Sequence, residues 1–169
     1  MLRLRPLRPD DEDQFRSGHA ALAAEGITFG LRFEPDRAWD EYLRLLGDHR
    51  CGRNLPERFV PSTFLVADAG GRIVGRVSIR HELNEFLATE GGHIGYCVLP
   101  GQRRRGYATE MLRQALVVAR ALGIDRALLT CDDSNVGSAR VIESCGGRLA
   151  RVLPAVPGGR PALRHYWID

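Results

Sequence analysis

The chain contains no lysine: all 24 of its basic residues are arginine. That absence excludes a lysine Schiff base and a lysine general base, so any chemistry rests on other groups. Cysteine is sparse. Cys51, Cys97, Cys131 and Cys145 show neither a Cys-x-x-Cys pair nor the pattern of a small secreted domain, which speaks against a disulfide framework or a metal site and for a reduced, cytoplasmic setting. No apolar run approaches the length of a membrane span. The opening Met1–Arg8 alternates apolar and basic residues and reaches Asp10–Asp13 without the apolar stretch of a signal peptide. Excess charge is lacking too. A net charge of +3, with the arginines scattered along the chain, weighs against nucleic acid as a partner and fits a local anionic ligand better.

What remains is 169 residues at 44% hydrophobic content, enough for one domain over 1–169 that buries a core without staples. Apolar runs bounded by turn residues, alternating with basic residues in the first, predict strands at Leu2–Arg8, Thr63–Ala67, Ile73–Ile79, His93–Leu99, Ala127–Cys131, Arg148–Leu153 and Leu163–Ile168. Helical spacing predicts helices from Asp10 to about Ala24, Pro35 to His49, about Arg104 to Leu122, and from Asn135 to Gly146. Phe29–Phe33 reads as a short extended piece, Cys51–Pro61 as a loop, and Leu83–Gly92 as a loop or short helix. The order β, two helices, three strands, helix, strand, helix, two strands makes a mixed α/β sheet, with one βαβ crossover spanning residues 93–131.

The most informative stretch is Val98-Leu99-Pro100-Gly101-Gln102-Arg103-Arg104-Arg105-Gly106-Tyr107-Ala108-Thr109, where an apolar strand meets an amphipathic helix through a basic, glycine-bearing turn. The first turn of a helix has free N–H groups and partial positive charge, and glycine lets phosphate oxygens approach the amides. Arg103-Arg104-Arg105-Gly106-Tyr107-Ala108, the strand before it, and Asp132–Gly146 with Asn135, Ser138 and Glu143 together resemble the GNAT superfamily of acyl-CoA-dependent N-acetyltransferases. Arg80–Asn84 and Gly91–Tyr96 are similar to a bacterial subgroup of it. The resemblance implies an α/β GNAT fold: a mostly antiparallel sheet of six to seven strands, its central parallel pair splayed around the cofactor, flanked by about four helices. It also implies an acyltransferase that moves an acetyl group from acetyl-CoA, without a metal, to a primary amine by direct attack in a ternary complex.

On that basis the diphosphate is expected on Arg103, Arg104, Arg105, Gly106, Tyr107, Ala108 and Thr109, and the pantetheine arm on the backbone of Cys97, Val98 and Leu99, where an amide steadies the oxyanion. Asn135 is a cofactor contact or a helix N-cap, and Ser138 faces the sulfur or packs. Many relatives carry a tyrosine acid seven residues after the asparagine; here Ile142 stands there. The acid role then passes to Ser138, Tyr166, water or no protein group. His93 is the candidate base, ahead of His81, Glu82 and Glu90. His81, Glu82 and Asn84 are the expected acceptor contacts, Glu85 lies beside them, and Phe29, Phe33, Trp39 and Tyr42 wall the pocket or pack in the core. Cys97 and Cys145 read as buried fillers in preference to acyl carriers. A non-catalytic acyl-CoA-binding module and a macromolecular acceptor (a protein N-terminus or an aminoacyl-tRNA) are the competing readings, and dimers among relatives keep a homodimer open.

Overall fold

Pro6 has no N–H to give a ladder, and the first strand, β1 (Leu2–Arg5), ends just before it instead of running on to Arg8. A single 3-10 turn, Pro9–Asp11, leads into α1 (Glu12–Ala23). In the computed structural model, which describes residues 1–169, there follow α2 (Trp39–Arg50), β2 (Ser62–Ala69), β3 (Ile73–Arg80), the short α3 (Glu85–Thr89), β4 (Ile94–Val98), α4 (Tyr107–Ala121), β5 (Ala127–Asp132), α5 (Val136–Ser144), β6 (Arg148–Leu153) and β7 (Leu163–Ile168). Residues 29–33 are a succession of turns, not an extended piece. Phe15 explains this: it packs edge-on to Phe33 at 5.0 Å and beside Phe29 at 5.2 Å, so the chain folds around one aromatic ring.

The strands lie in two antiparallel half-sheets, β1-β2-β3-β4 and β5-β7-β6. The crossover through α4 lays β5 beside β4. His93 meets Leu128, and the crossover through one helix runs the two strands in the same direction. Their contact is confined to one end. The His93 N–H donates to the Leu128 carbonyl at 2.7 Å, the Leu128 N–H donates to His93 Nδ1 at 2.9 Å, and no ladder continues beyond. The expected splayed pair is therefore present, as a fork opening toward Val98 and Asp132.

Helices cover both faces. From Arg76 onward β3 points its odd residues, Val77 and Ile79, into a core shared with Met111, Leu112, Ala115 of α4 and Ile142 of α5. On the opposite face Phe64 and Val66 of β2 join Phe15 and Leu22 of α1 and Tyr42 and Leu46 of α2. One buried ionic cluster ties β1, β2 and the entry to α1 together. Arg5 donates through Nη1 and Nη2 to Asp11 at 2.6 and 2.8 Å and through Nε to Asp68 at 2.7 Å. Asp11 also accepts the Arg8 N–H at 2.7 Å, which fastens the 3-10 turn.

Candidate active site

The helix expected from Arg104 begins at Tyr107, because the turn before it is left-handed at two residues, Arg104 (φ 64°) and Gly106 (φ 78°). No atom lies within 4 Å of where a Gly106 side chain would start, so glycine serves the backbone angle here and not packing. The first helical amide to bond back into the chain is that of Glu110, on the Gly106 carbonyl at 3.2 Å. The amides ahead of it and the exposed Arg104 and Arg105 side chains form a basic, amide-bearing cradle just beyond the end of β4. Arg103 differs from its neighbours: its guanidinium is clamped to Glu25 at 2.6 Å and its Nε reaches the Val98 carbonyl at 3.3 Å. Its side chain braces the strand end against α1, and only its backbone is left for a phosphate.

The register of β4 decides which of its backbone groups face the fork. Arg80 N–H bonds to the His93 carbonyl and Leu99 N–H to the Val74 carbonyl, with Gly95 opposite Ser78 and Cys97 opposite Arg76 between them. Odd-numbered residues are thus spent on β3, and the N–H and C=O of Tyr96 and Val98 point into the gap. This corrects the expectation in part: of Cys97, Val98 and Leu99, only Val98 offers its backbone there, and Tyr96 joins it.

Tyr96 is a site residue that the sequence reading did not single out, and its side chain lies beside the fork. Its hydroxyl lies 2.8 Å from Ser138 Oγ and 3.3 Å from the Ser138 carbonyl, bridging β4 to the first turn of α5 beside the fork. Burial pushes the phenol up to about 12, against the bond from Ser138, so it stays protonated through the neutral range. Asn135 caps α5, its side chain accepting the Ser138 N–H at 3.0 Å; its amide nitrogen remains free. Ile142 is buried in the core. Tyr166, expected as an acid, is fully buried and donates to Glu143 at 2.8 Å, a bond internal to β7 and α5.

His93 also has a structural partner. Because Leu128 N–H is a donor, Nδ1 must be an acceptor, which puts the proton of the neutral ring on Nε2 and uses the lone pair that a base would need. Burial, with Arg80 nearby, holds the ring below its ordinary pKa and favours that neutral form. Replacing His93 by asparagine, whose Oδ1 can accept the same N–H, is expected to leave turnover within a few fold. Alanine is expected to cost about 1–3 kcal/mol in urea unfolding, the penalty of an orphaned buried donor.

The expected acceptor contacts do not converge. His81 bonds to Thr63 Oγ1 at 2.8 Å, Glu82 is exposed, and Asn84 caps α3 through Leu87 N–H while donating to the Arg58 carbonyl. Glu90 pairs with Arg160. Trp39, Tyr42 and Phe33 pack around Phe15. A cavity of about 280 Å³ opens elsewhere, on the α1/α2 face of β3, between Phe29, Phe59, Phe64, Arg32, Arg76 and Arg80. Of the residues expected at the acceptor pocket, only Phe29 lines it.

Residues 1–148 match the family model described as an acetyltransferase (GNAT) domain. The chain belongs to the GNAT acetyltransferase family. Among solved structures, YncA of Salmonella typhimurium, determined with its cofactor acetyl-CoA, superimposes with a TM-score of 0.69 at 16% identity, over 99% of this chain and 93% of that one. RimJ of Mycobacterium smegmatis, in complex with CoA-disulfide, gives 0.70 at 22% over 99% and 81%. A chimera of the Vibrio cholerae spermidine N-acetyltransferase gives 0.65 at 19% over 99% and 94%. No match is found among curated protein sequences. No helix of this acetyltransferase is long and apolar enough to cross a membrane.

Two features of the acetyltransferase bear directly on transfer. Burial raises the thiols of Cys97 and Cys145 above the ordinary range, so neither is a ready thiolate for an acyl-enzyme. The left-handed Gly106 is the point where the cradle is most easily damaged. Gly106→Ala strains the turn by about 1–2 kcal/mol without a clash, and is expected to lower the melting temperature of the free protein by a few degrees and, where the turn relaxes out of the left-handed region, to weaken acetyl-CoA binding roughly tenfold by calorimetry.

Proposed function

We propose that this acetyltransferase transfers an acetyl group from acetyl-CoA to a primary amine by direct attack in a ternary complex. The observation that carries the reading is the fork between β4 and β5 with the amide cradle of residues 104–109 just beyond the end of β4. A diphosphate fits the cradle, and an extended amide-bearing arm fits an unpaired strand edge. The bound acetyl-CoA and CoA-disulfide of the YncA and RimJ structures support the choice of donor.

Tyr96 and Val98 would bond the arm as a neighbouring strand does, and an amide of this edge would steady the oxyanion as the amine nitrogen attacks the thioester carbon. The C–N bond forms and the C–S bond breaks. Tyr96, held by Ser138, donates a hydrogen bond to the departing sulfur. No Asp, Glu or His lines the cavity. The proton shed by the amine therefore leaves through water, and one proton returns to complete the CoA thiol. His93 and Tyr166 hold the fold in this account.

Purified protein with acetyl-CoA tests it. A rise in melting temperature and thiol release with at least one amine of a broad panel are expected. Neither binding nor release would refute the reading, and binding without release from any amine would leave an acyl-CoA-binding module in its place.

A further inference from the structure

The cavity beside β4 is lined by cations that have no counter-ion. Arg76 and Arg80 stand two apart in the β-alternation of β3, with Ser78 between them, and all three side chains line the cavity. The two guanidiniums share the space above Gly95 on the next strand. A Cβ at Gly95 would lie 3.1 Å from Arg80 Nη1 and 3.7 Å from Arg76 Nη1, so the missing side chain is what admits them. Their bonds go to neutral carbonyls: Arg76 Nη2 to Thr28 at 3.0 Å and Arg80 Nη1 to Gly91 at 3.2 Å. Arg76 Nε is shut off from solvent with no partner at all. Arg32, on the opposite wall, bonds to His49 Nε2 and lies over the Phe59 ring.

None of the ion pairs in the structure involves Arg32, Arg76 or Arg80, although ten of the other arginines in the chain are paired with carboxylates. The ionisable neighbours of Arg76 do not neutralise it. Burial raises both Cys97 and Tyr42, so each is uncharged at neutral pH. Like charges brought together in a partly buried cavity are costly unless an anion meets them, and here the protein supplies none.

We propose that Arg76 and Arg80, with Arg32 opposite, bind an oxyanion of the acceptor, so that the amine acetylated belongs to a small molecule carrying a carboxylate or a phosphonate. This rests on the acetyltransferase reading above. The size fits: about 280 Å³ is at the low end of ligand pockets, and Phe29, Phe59 and Phe64 offer apolar walls to a short carbon skeleton. The position fits as well. Neighbouring strands lie about 5 Å apart, so an anion held over β3 leaves an amine a few bonds away at the far edge of β4, where the fork opens. The same charges oppose a polyamine, the acceptor named for the Vibrio cholerae relative.

The test is thiol release from acetyl-CoA with matched amines: leucine against leucinamide, 3-aminopropylphosphonate against 3-aminopropanol, and spermidine as the cationic control. At least one anionic member is expected to exceed its uncharged partner about 10- to 100-fold in kcat/KM. Which pair shows the gap tells carboxylate from phosphonate. Arg76→Gln and Arg80→Gln are expected to raise KM for the anionic amine about tenfold or more, with kcat less affected, and to leave the uncharged partner and the acetyl-CoA thermal shift unchanged. Preference for uncharged amines, peptides or spermidine overturns the proposal, as does an equal loss on charged and uncharged amines in variants that still bind acetyl-CoA. A wild-type protein that fails to bind acetyl-CoA instead overturns the acetyltransferase reading itself.

Discussion

Arg5→Ala is expected to lower the unfolding free energy by about 3–5 kcal/mol, a large part of the roughly 5–15 kcal/mol that holds a domain of this size together. The arginine and both of its carboxylate partners are almost fully covered, with side-chain exposures of 9% for Arg5 and 4% for Asp11 and Asp68. Removing the cation leaves two buried anions facing each other across β1. Urea unfolding reads the loss, and its pH dependence identifies the cause. Burial tends to push Asp11 up, but its bonds from Arg5 and the Arg8 amide win and hold it below the usual carboxylate range. For Asp68 the bond from Arg5 is the leading cause of the same depression. Carboxylates depressed by folding contribute stability above their unfolded pKa of about 4, and that contribution is lost as pH falls through the lower folded value. The wild type should therefore weaken in acid. In Arg5→Ala Asp11 loses its paired cation and Asp68 keeps only the longer contact with Arg3 at 3.8 Å, so the deficit relative to wild type should shrink as pH drops below about 4. A deficit independent of pH would mean that Arg5 acts through packing alone.

Tyr96→Phe is expected to reduce kcat about 10²-fold with the best amine found, with the acetyl-CoA thermal shift kept. The substitution deletes one oxygen and leaves the ring in the core that Tyr96 packs against. Ser138→Ala should cost less, because it removes the group that aims the hydroxyl and not the hydroxyl itself. If Tyr96→Phe turns over as fast as wild type, the thiolate departs without help from this side chain. If Ser138→Ala is the worse of the two, the serine itself serves the sulfur.

The strands and main helices were legible from apolar runs, helical spacing and the turn residues that bound them, even where burial does not alternate, as in the exposed β6. β6 and β7 have the predicted bounds, Arg148–Leu153 and Leu163–Ile168. Misread boundaries trace to backbone chemistry or tertiary packing: Pro6 ends β1 early, Arg104 and Gly106 delay α4, and the aromatic cluster about Phe15 curls residues 29–33. The donor site proposed here rests on a local motif and so could be read from the sequence. The proposed acceptor pocket could not. Arg76, Ser78 and Arg80 alternate with Val77 and Ile79, a pattern that reads as a solvated sheet face. Only when α1 and α2 are seen to cover that face does an interior strand with two arginines become anomalous. Tyr96 was hidden similarly, since its partner Ser138 is 42 residues away along the chain.

The missing ladder between β4 and β5 also shapes how the molecule breathes. Amides along the fork lack a partner strand to slow their exchange with solvent. Along β4 this predicts a two-residue rhythm: Gly95 and Cys97, turned to β3, hold their hydrogens, whereas Tyr96 and Val98 give theirs up quickly. Acetyl-CoA lying in the fork would erase the rhythm, turning an alternating strand into a uniformly protected one and recording, amide by amide, where the donor lies.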